Sequence, residues 1–88
     1  MRISAIFKAI SDPFRRDIIK MLKAGRMSAG EISSKTTLTD ATVSYHLKRL
    51  RKVGLIEETK YKTFVFYELN VQALEDVQEW INELHIQN

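Results

Sequence analysis

The sequence predicts a mainly helical α+β domain with one β-hairpin, in the order α-α-α-α-β-β-α. Three observations carry that expectation. Two short helical runs, each opened by its own capping signal, stand back to back between Ser28 and Val53. Two runs rich in β-branched and aromatic residues follow, Leu55 to Thr59 and Phe64 to Leu69. The length, 88 residues, suits a single domain over 1–88 and no more.

The elements follow in order. Ile3, Ile6, Phe7 and Ile10 recur at helical spacing and predict a short amphipathic helix. Ser11-Asp12-Pro13 ends it, with Asp12 suited to cap the next helix and Pro13 to its first position, where a missing N–H costs nothing. That second helix places Phe14, Ile18, Met21 and Leu22 on one face, with Arg15, Arg16, Lys20 and Lys23 mostly elsewhere. Gly25 is expected to end it in a left-handed conformation. Ser28-Ala29-Gly30-Glu31 is a capping box, flanked by Met27 and Ile32 at staple spacing, so a third helix starts at Ala29 and frays near Lys35-Thr36-Thr37.

Thr39 caps the fourth helix, and Leu38 with Val43 repeats the staple. It runs to Val53, and Gly54 stops it. Two short capped helices joined by a brief polar turn are the signature of a helix-turn-helix. The hairpin has Lys60-Tyr61-Lys62-Thr63 between its strands, with no glycine at the tip, and reads as a wing. Asn70 caps the last helix, whose apolar stripe is Val71, Leu74, Val77, Ile81 and Leu84, with Trp80 beside it.

Cysteine is absent, which excludes a disulfide framework and a thiolate metal cage. The N-terminal stretch is too short and too interrupted by charge for a signal peptide or a membrane span. The net charge of +3 hides a split. Through Lys62 there are fourteen Lys and Arg against six acids; from Thr63 onward there are five acids and no Lys or Arg. A basic body with an acidic tail suggests a polyanionic partner on one side. Clustering of charge on ordinary solvated faces is the alternative.

At about 100° per residue, Val43, Leu47 and Leu50 of the fourth helix face the core. Ala41, Tyr45, Lys48 and Lys52 fall opposite, with Thr42 and Arg49 on one edge and Ser44 on the other. The exposed side thus begins with small and hydroxyl-bearing residues and ends with cations. That gradient suits a helix entering the major groove by its N-terminal half. Ala41 or the Thr42 methyl is placed for a thymine methyl, and Thr42, Ser44 and Tyr45 for bases or phosphates. Lys48, Arg49 and Lys52 are placed for phosphates, which give affinity without sequence information. The candidate double-stranded DNA interface is Thr39, Ala41, Thr42, Ser44, Tyr45, Lys48, Arg49 and Lys52, joined by Lys60 and Lys62 of the wing. Asp40 suits the first turn of its helix, or accepts from cytosine N4. His46, at the edge of the buried stripe, either packs or meets a phosphate. His85 lacks a second ligand at metal-binding spacing. No nucleophile–base pair, phosphate-binding glycine loop or metal cluster appears, so no enzyme activity, cofactor or metal site is expected.

At these residues the chain resembles the ArsR family of bacterial winged-helix repressors. The resemblance runs from Phe7 to Trp80 on Ala9-Ile10-Ser11-Asp12-Pro13-Phe14-Arg15-Arg16, Ala29-Gly30-Glu31-Ile32, Thr42 to Leu50, Val53-Gly54-Leu55-Ile56 and Phe66-Tyr67-Glu68-Leu69. Its short length and missing sensor motif are most similar to the SdpR-type autorepressors. The resemblance implies a homodimer on an inverted-repeat operator, with the first and last helices as the interface: Ile3, Ile6 and Phe7, then Val77, Trp80, Ile81 and Leu84; a cytoplasmic location fits the absence of cysteine. It also implies a membrane-embedded antirepressor as a partner. Metal-sensing members carry cysteines where this chain has Glu31 to Lys35, or His and carboxylate ligands on the last helix, which here holds only His85. Two alternatives stand beside this reading: a winged helix that docks on another protein, and a regulator with a ligand pocket at the dimer interface.

Overall fold

The computed structural model describes residues 2–85. Helix α1 (Arg2–Ile10) turns at Ser11 into α2 (Pro13–Leu22). Asp12 has extended backbone there, and its carboxylate accepts the N–H groups of Phe14 at 2.8 Å and Arg15 at 3.1 Å. These are two of the donors that every helix start leaves without a partner. Strand β1 (Met27–Ser28) precedes α3 (Ala29–Ser34) and α4 (Asp40–Lys52). Strands β2 (Ile56–Tyr61) and β3 (Phe64–Leu69) form the hairpin, and α5 (Val71–Asn82) follows. The mainly helical α+β class and the winged helix-turn-helix architecture are as expected.

The capping signals formed as read. Ser28 and Glu31 make the reciprocal capping box, at 3.1 and 3.0 Å. Thr39 caps α4 and Asn70 caps α5. Gly54, at φ +80°, sits past the end of α4. Its N–H reaches the Arg51 carbonyl at 3.0 Å, and the Leu55 N–H reaches that of Leu50 at 3.1 Å. That bond pair is the Schellman arrangement, and Leu50 and Leu55 supply its apolar contact, both fully buried.

Four details differ from the expectation. The sheet has three strands, not two, in the order β1-β3-β2, because Met27 and Ser28 pair with Tyr67 and Phe66. Two residues are too few to show an alternating pattern. Strand β2 extends through Tyr61, so Tyr61 pairs with Phe64 across a two-residue turn of Lys62 and Thr63. Lys62 takes φ +56°, the conformation that glycine adopts without steric cost. Helix α2 ends at Leu22 with Lys23 as its C-cap, and Gly25 lies beyond at φ +142°, outside the left-handed helical well. On α5, Ala73 is the buried residue and Val71 is exposed, so the stripe is rotated from the one the larger side chains suggest.

The core lies between α1, α2, α3, α4 and the base of the hairpin. Ile6, Ile18, Ile32, Val43, Leu47, Leu50, Leu55 and Ile56 are each essentially sealed from solvent. Fully burying a side chain of this kind is worth about 1.5–3 kcal/mol relative to exposure. Ile6 belongs to this core, with no exposed surface, so it is corrected from a dimer contact to an internal one. Val77 also packs against the core and is only half-buried. Among the described residues no helix is long and apolar enough to cross a membrane.

Candidate nucleic-acid interface

Helix α4 is held at three points along its length, and one side of it is left bare. At its start, the Thr39 hydroxyl oxygen accepts the Thr42 N–H at 3.2 Å, and its hydrogen is donated to the Thr42 hydroxyl at 2.9 Å. Asp40 does not act on its own helix end alone: its carboxylate accepts the Ser33 hydroxyl at 2.7 Å and ties α3 to α4 across the turn. Within that turn the Thr36 hydroxyl accepts the Leu38 N–H at 3.2 Å. The angle between the two helices is therefore braced by side chains as well as by the core.

The middle of α4 is held by α2. Arg15 is 8% exposed and His46 is 6% exposed. The Arg15 Nε donates to the Ala9 carbonyl at 2.6 Å, and its Nη1 lies 3.3 Å from His46 Nδ1. A guanidinium only donates, so Nδ1 is the acceptor and the neutral imidazole carries its proton on Nε2. Phe14 stacks on the same ring at 6.2 Å, and Tyr45 meets it edge-on at 5.5 Å. Of the two readings of His46, packing is the one found. Arg15 escaped the sequence reading, which set it among the surface cations. The signal was present: Arg15, Ile18 and Leu22 stand at i, i+3 and i+7, and all three are buried.

The end of α4 is held by the hairpin. Arg51 donates to Glu58 at 2.6 Å, and the Tyr67 hydroxyl donates to the same carboxylate at 3.3 Å. Burial raises the Tyr67 phenol above its ordinary value, and the charge and hydrogen bond of Glu58 raise it further. The hydrogen bonds from the Ser28 N–H and hydroxyl hold the Glu31 carboxyl below the usual range.

The bare side carries the expected residues. Thr39, Ala41, Ser44, Tyr45, Lys48 and Lys52 are exposed, and Thr42 and Arg49 partly so. Tyr45 is 55% exposed, a large value for an aromatic ring, and the Arg49 guanidinium stands 6.0 Å from its centroid. Lys60 and Lys62 are exposed at the hairpin tip, away from the helix, with Lys62 Nζ 5.5 Å from the Tyr61 ring. Tyr61 and Phe64, paired across the turn, are both more than half exposed. Phe64 was missed at the tip because strand aromatics are ordinarily core. Phe7 meets Trp80 edge-on at 5.2 Å, joining α1 to α5. Trp80, Ile81 and Leu84 remain substantially exposed around that contact, and Ile3 is half-buried. Among the described residues no group of three His, Cys, Asp or Glu side chains is placed to hold a metal ion.

Comparison with known proteins agrees with this geometry. The family model described as bacterial regulatory protein, arsR family, matches residues 12–58, from the cap of α2 into β2. The transcriptional repressor SdpR of Bacillus subtilis is 38% identical over 76 residues, covering 86% of this chain and 84% of that protein. A crystal structure of an ArsR family transcriptional regulator superposes with a TM-score of 0.90 at 21% identity, over 97% of this chain and 93% of that one. The solution structure of a homodimeric winged helix-turn-helix DNA-binding domain from Mycobacterium bovis superposes at 0.77 and 22% identity, over 98% and 82%. A braced helix-turn-helix with a cationic outer face, a hairpin wing, the family match and the SdpR likeness point the same way: the chain belongs to the arsR family of bacterial regulatory proteins and is a winged helix-turn-helix transcriptional regulator, not an enzyme.

Proposed function

We propose that residues 1–88 act as one DNA-binding domain of a homodimeric cytoplasmic repressor on an inverted-repeat operator. The observation that carries this reading is the bare side of α4, with Ala41, Ser44 and Tyr45 toward its start and Lys48 and Lys52 toward its end. The first half of the helix reads bases in the major groove, and the second half and the wing lysines meet phosphates. Thr42 keeps one role open in this scheme, because its hydroxyl accepts from Thr39 while its own hydrogen remains free to donate.

The dimer forms through α1 and α5, by Ile3, Phe7, Trp80, Ile81 and Leu84, without Ile6 and with Val77 marginal. The support is the exposed apolar cluster around the Phe7–Trp80 contact. Two recognition helices related by a two-fold axis then stand about 34–36 Å apart, one turn of DNA. Autorepression, with relief by a membrane-embedded antirepressor, rests on the likeness to SdpR-type repressors.

Footprinting on the DNA upstream of the chain's own gene, with and without EDTA, tests the reading. The expected result is one protected inverted repeat, unchanged by EDTA, whose affinity falls about 10³-fold or more between 50 and 200 mM salt. No protection of any duplex, with a flat salt response, would favour a protein-docking winged helix instead.

A further inference from the structure

A groove of about 530 Å³ lies between α1 and the C-terminal end of α4. Its lining is of two kinds. Ala5, Ala9, Val53 and Gly54 are small or apolar, and Lys8, Arg49, Arg51 and Lys52 are cationic; among the described residues no acidic side chain lines it. Arg51 is already paired with Glu58. Lys8, Arg49 and Lys52 have no carboxylate within ion-pair distance among the described residues. The helix end nearby would ordinarily repel an anion. Here the Leu50 and Arg51 carbonyls are engaged by Leu55 and Gly54.

The size falls within the range of small-molecule sites, as does the pairing of an apolar lining with a few charged groups. The dimer reading does not cover the groove. At about 100° per residue, Ala5 and Lys8 lie on one flank of the buried Ile6 stripe, and Ile3 and Phe7 on the other.

We propose that this groove binds a small organic anion, a carboxylate on an apolar body, and that its occupancy withdraws Arg49 and Lys52 from DNA phosphates. The carboxylate pairs with Lys8, Arg49 and Lys52, and the apolar body covers Ala5, Ala9 and Val53. Binding rests on the groove alone; the effect on DNA rests on the proposed repressor function. A competing ligand at ten times its Kd weakens DNA binding about tenfold per occupied site.

The test uses the full chain, benzoate as probe and inorganic phosphate at matched ionic strength as the control without an apolar body. In the protein alone, benzoate is expected to give saturable amide shifts centred on Ala5, Lys8, Ala9, Val53 and Gly54, and phosphate is not. Ala5→Trp, which fills the groove from an exposed helix position, and Lys8→Gln each weaken that binding at least fivefold. Shifts that never saturate, that spread over all the cationic surface, or that phosphate reproduces would overturn the site. On duplex DNA, benzoate at ten times its Kd is expected to lower the affinity of the unaltered chain about tenfold per occupied site and that of Lys8→Gln about threefold or less. Saturable benzoate binding with DNA affinity unchanged would overturn the coupling. Benzoate binding by a chain that binds no duplex would leave the groove standing and remove the repressor reading.

Discussion

The Arg15 guanidinium bridges the Ala9 carbonyl and His46 Nδ1, so a buried cation from α2 joins the end of α1 to the middle of α4. Removing it strands two polar atoms inside the protein. Leaving a buried donor or acceptor unsatisfied costs about 1–3 kcal/mol. Arg15→Met and His46→Leu are each expected to lower the midpoint of thermal unfolding, at roughly 4–8 °C per kcal/mol for a domain of this size. Calorimetry of the two single variants and the double variant checks it. The double variant is expected to lose less than the sum of the singles, and strict additivity would contradict the bridge.

Asp12 gives a prediction with a definite pH window. Desolvation works to raise its carboxyl. The hydrogen bonds from Arg15 and Phe14 and the positive charge beside it outweigh it, so the group sits below its ordinary 3.8. A carboxyl lowered by folding stabilises the folded state above its unfolded value, and that contribution is lost as pH falls through the folded value. Stability should therefore be flat from neutrality down to about pH 4 on this account and fall below it. Asp12→Asn keeps a cap and should remove this part of the acid slope, whereas Asp12→Ala should cost about 0.5–2 kcal/mol at neutral pH. Denaturant midpoints measured from pH 2.5 to 7 separate the three proteins.

Ile6 and Trp80 distinguish the core from the proposed subunit interface. Ile6→Ala opens a cavity in a sealed core and should cost about 2–5 kcal/mol. Trp80→Asp places charge on a surface that is 41% exposed in the single subunit, so the dimer should dissociate while each subunit stays folded. Sedimentation alongside circular dichroism reads both. A Trp80→Asp protein that still sediments as a dimer would move the interface elsewhere.

Tyr45 and Thr42 bring different chemistry to the proposed DNA interface. Tyr45→Ala or Thr42→Ala should change operator preference, by about 1–3 kcal/mol at one base position, with little loss on unrelated duplexes. Selection from a randomised operator pool is the readout.

What could be read in advance divides along a physical line. Caps, staples and the Gly54 terminus depend on residues within five positions of one another, and Ser28, Thr39, Asn70 and Gly54 act as their spacing indicates. The fate of Arg15 depends on Ala9 and on His46, 31 positions away, so helical spacing could place it on the buried face but not name its partners. Strand β1 is a two-residue pairing with β3, some 38 to 40 positions on, with too short a pattern to announce itself. Ile6 shows a third limit. Helix α1 has one apolar surface divided between the core and the exposed patch around Phe7, and periodicity does not say where the division runs. The candidate DNA face was readable because it is the complement of Val43, Leu47 and Leu50, a stripe that local spacing does determine.

The most direct measurement of the account is DNA affinity as a function of salt for the intact chain and for a triple variant with Lys48, Arg49 and Lys52 changed to Ala. Fluorescence anisotropy on a labelled duplex serves. The account predicts uniformly weaker binding by the variant and a log–log salt slope shallower by about one unit for each lost phosphate contact in the complex. An unchanged affinity and slope in a folded variant would mean that the outer side of α4 does not carry the DNA.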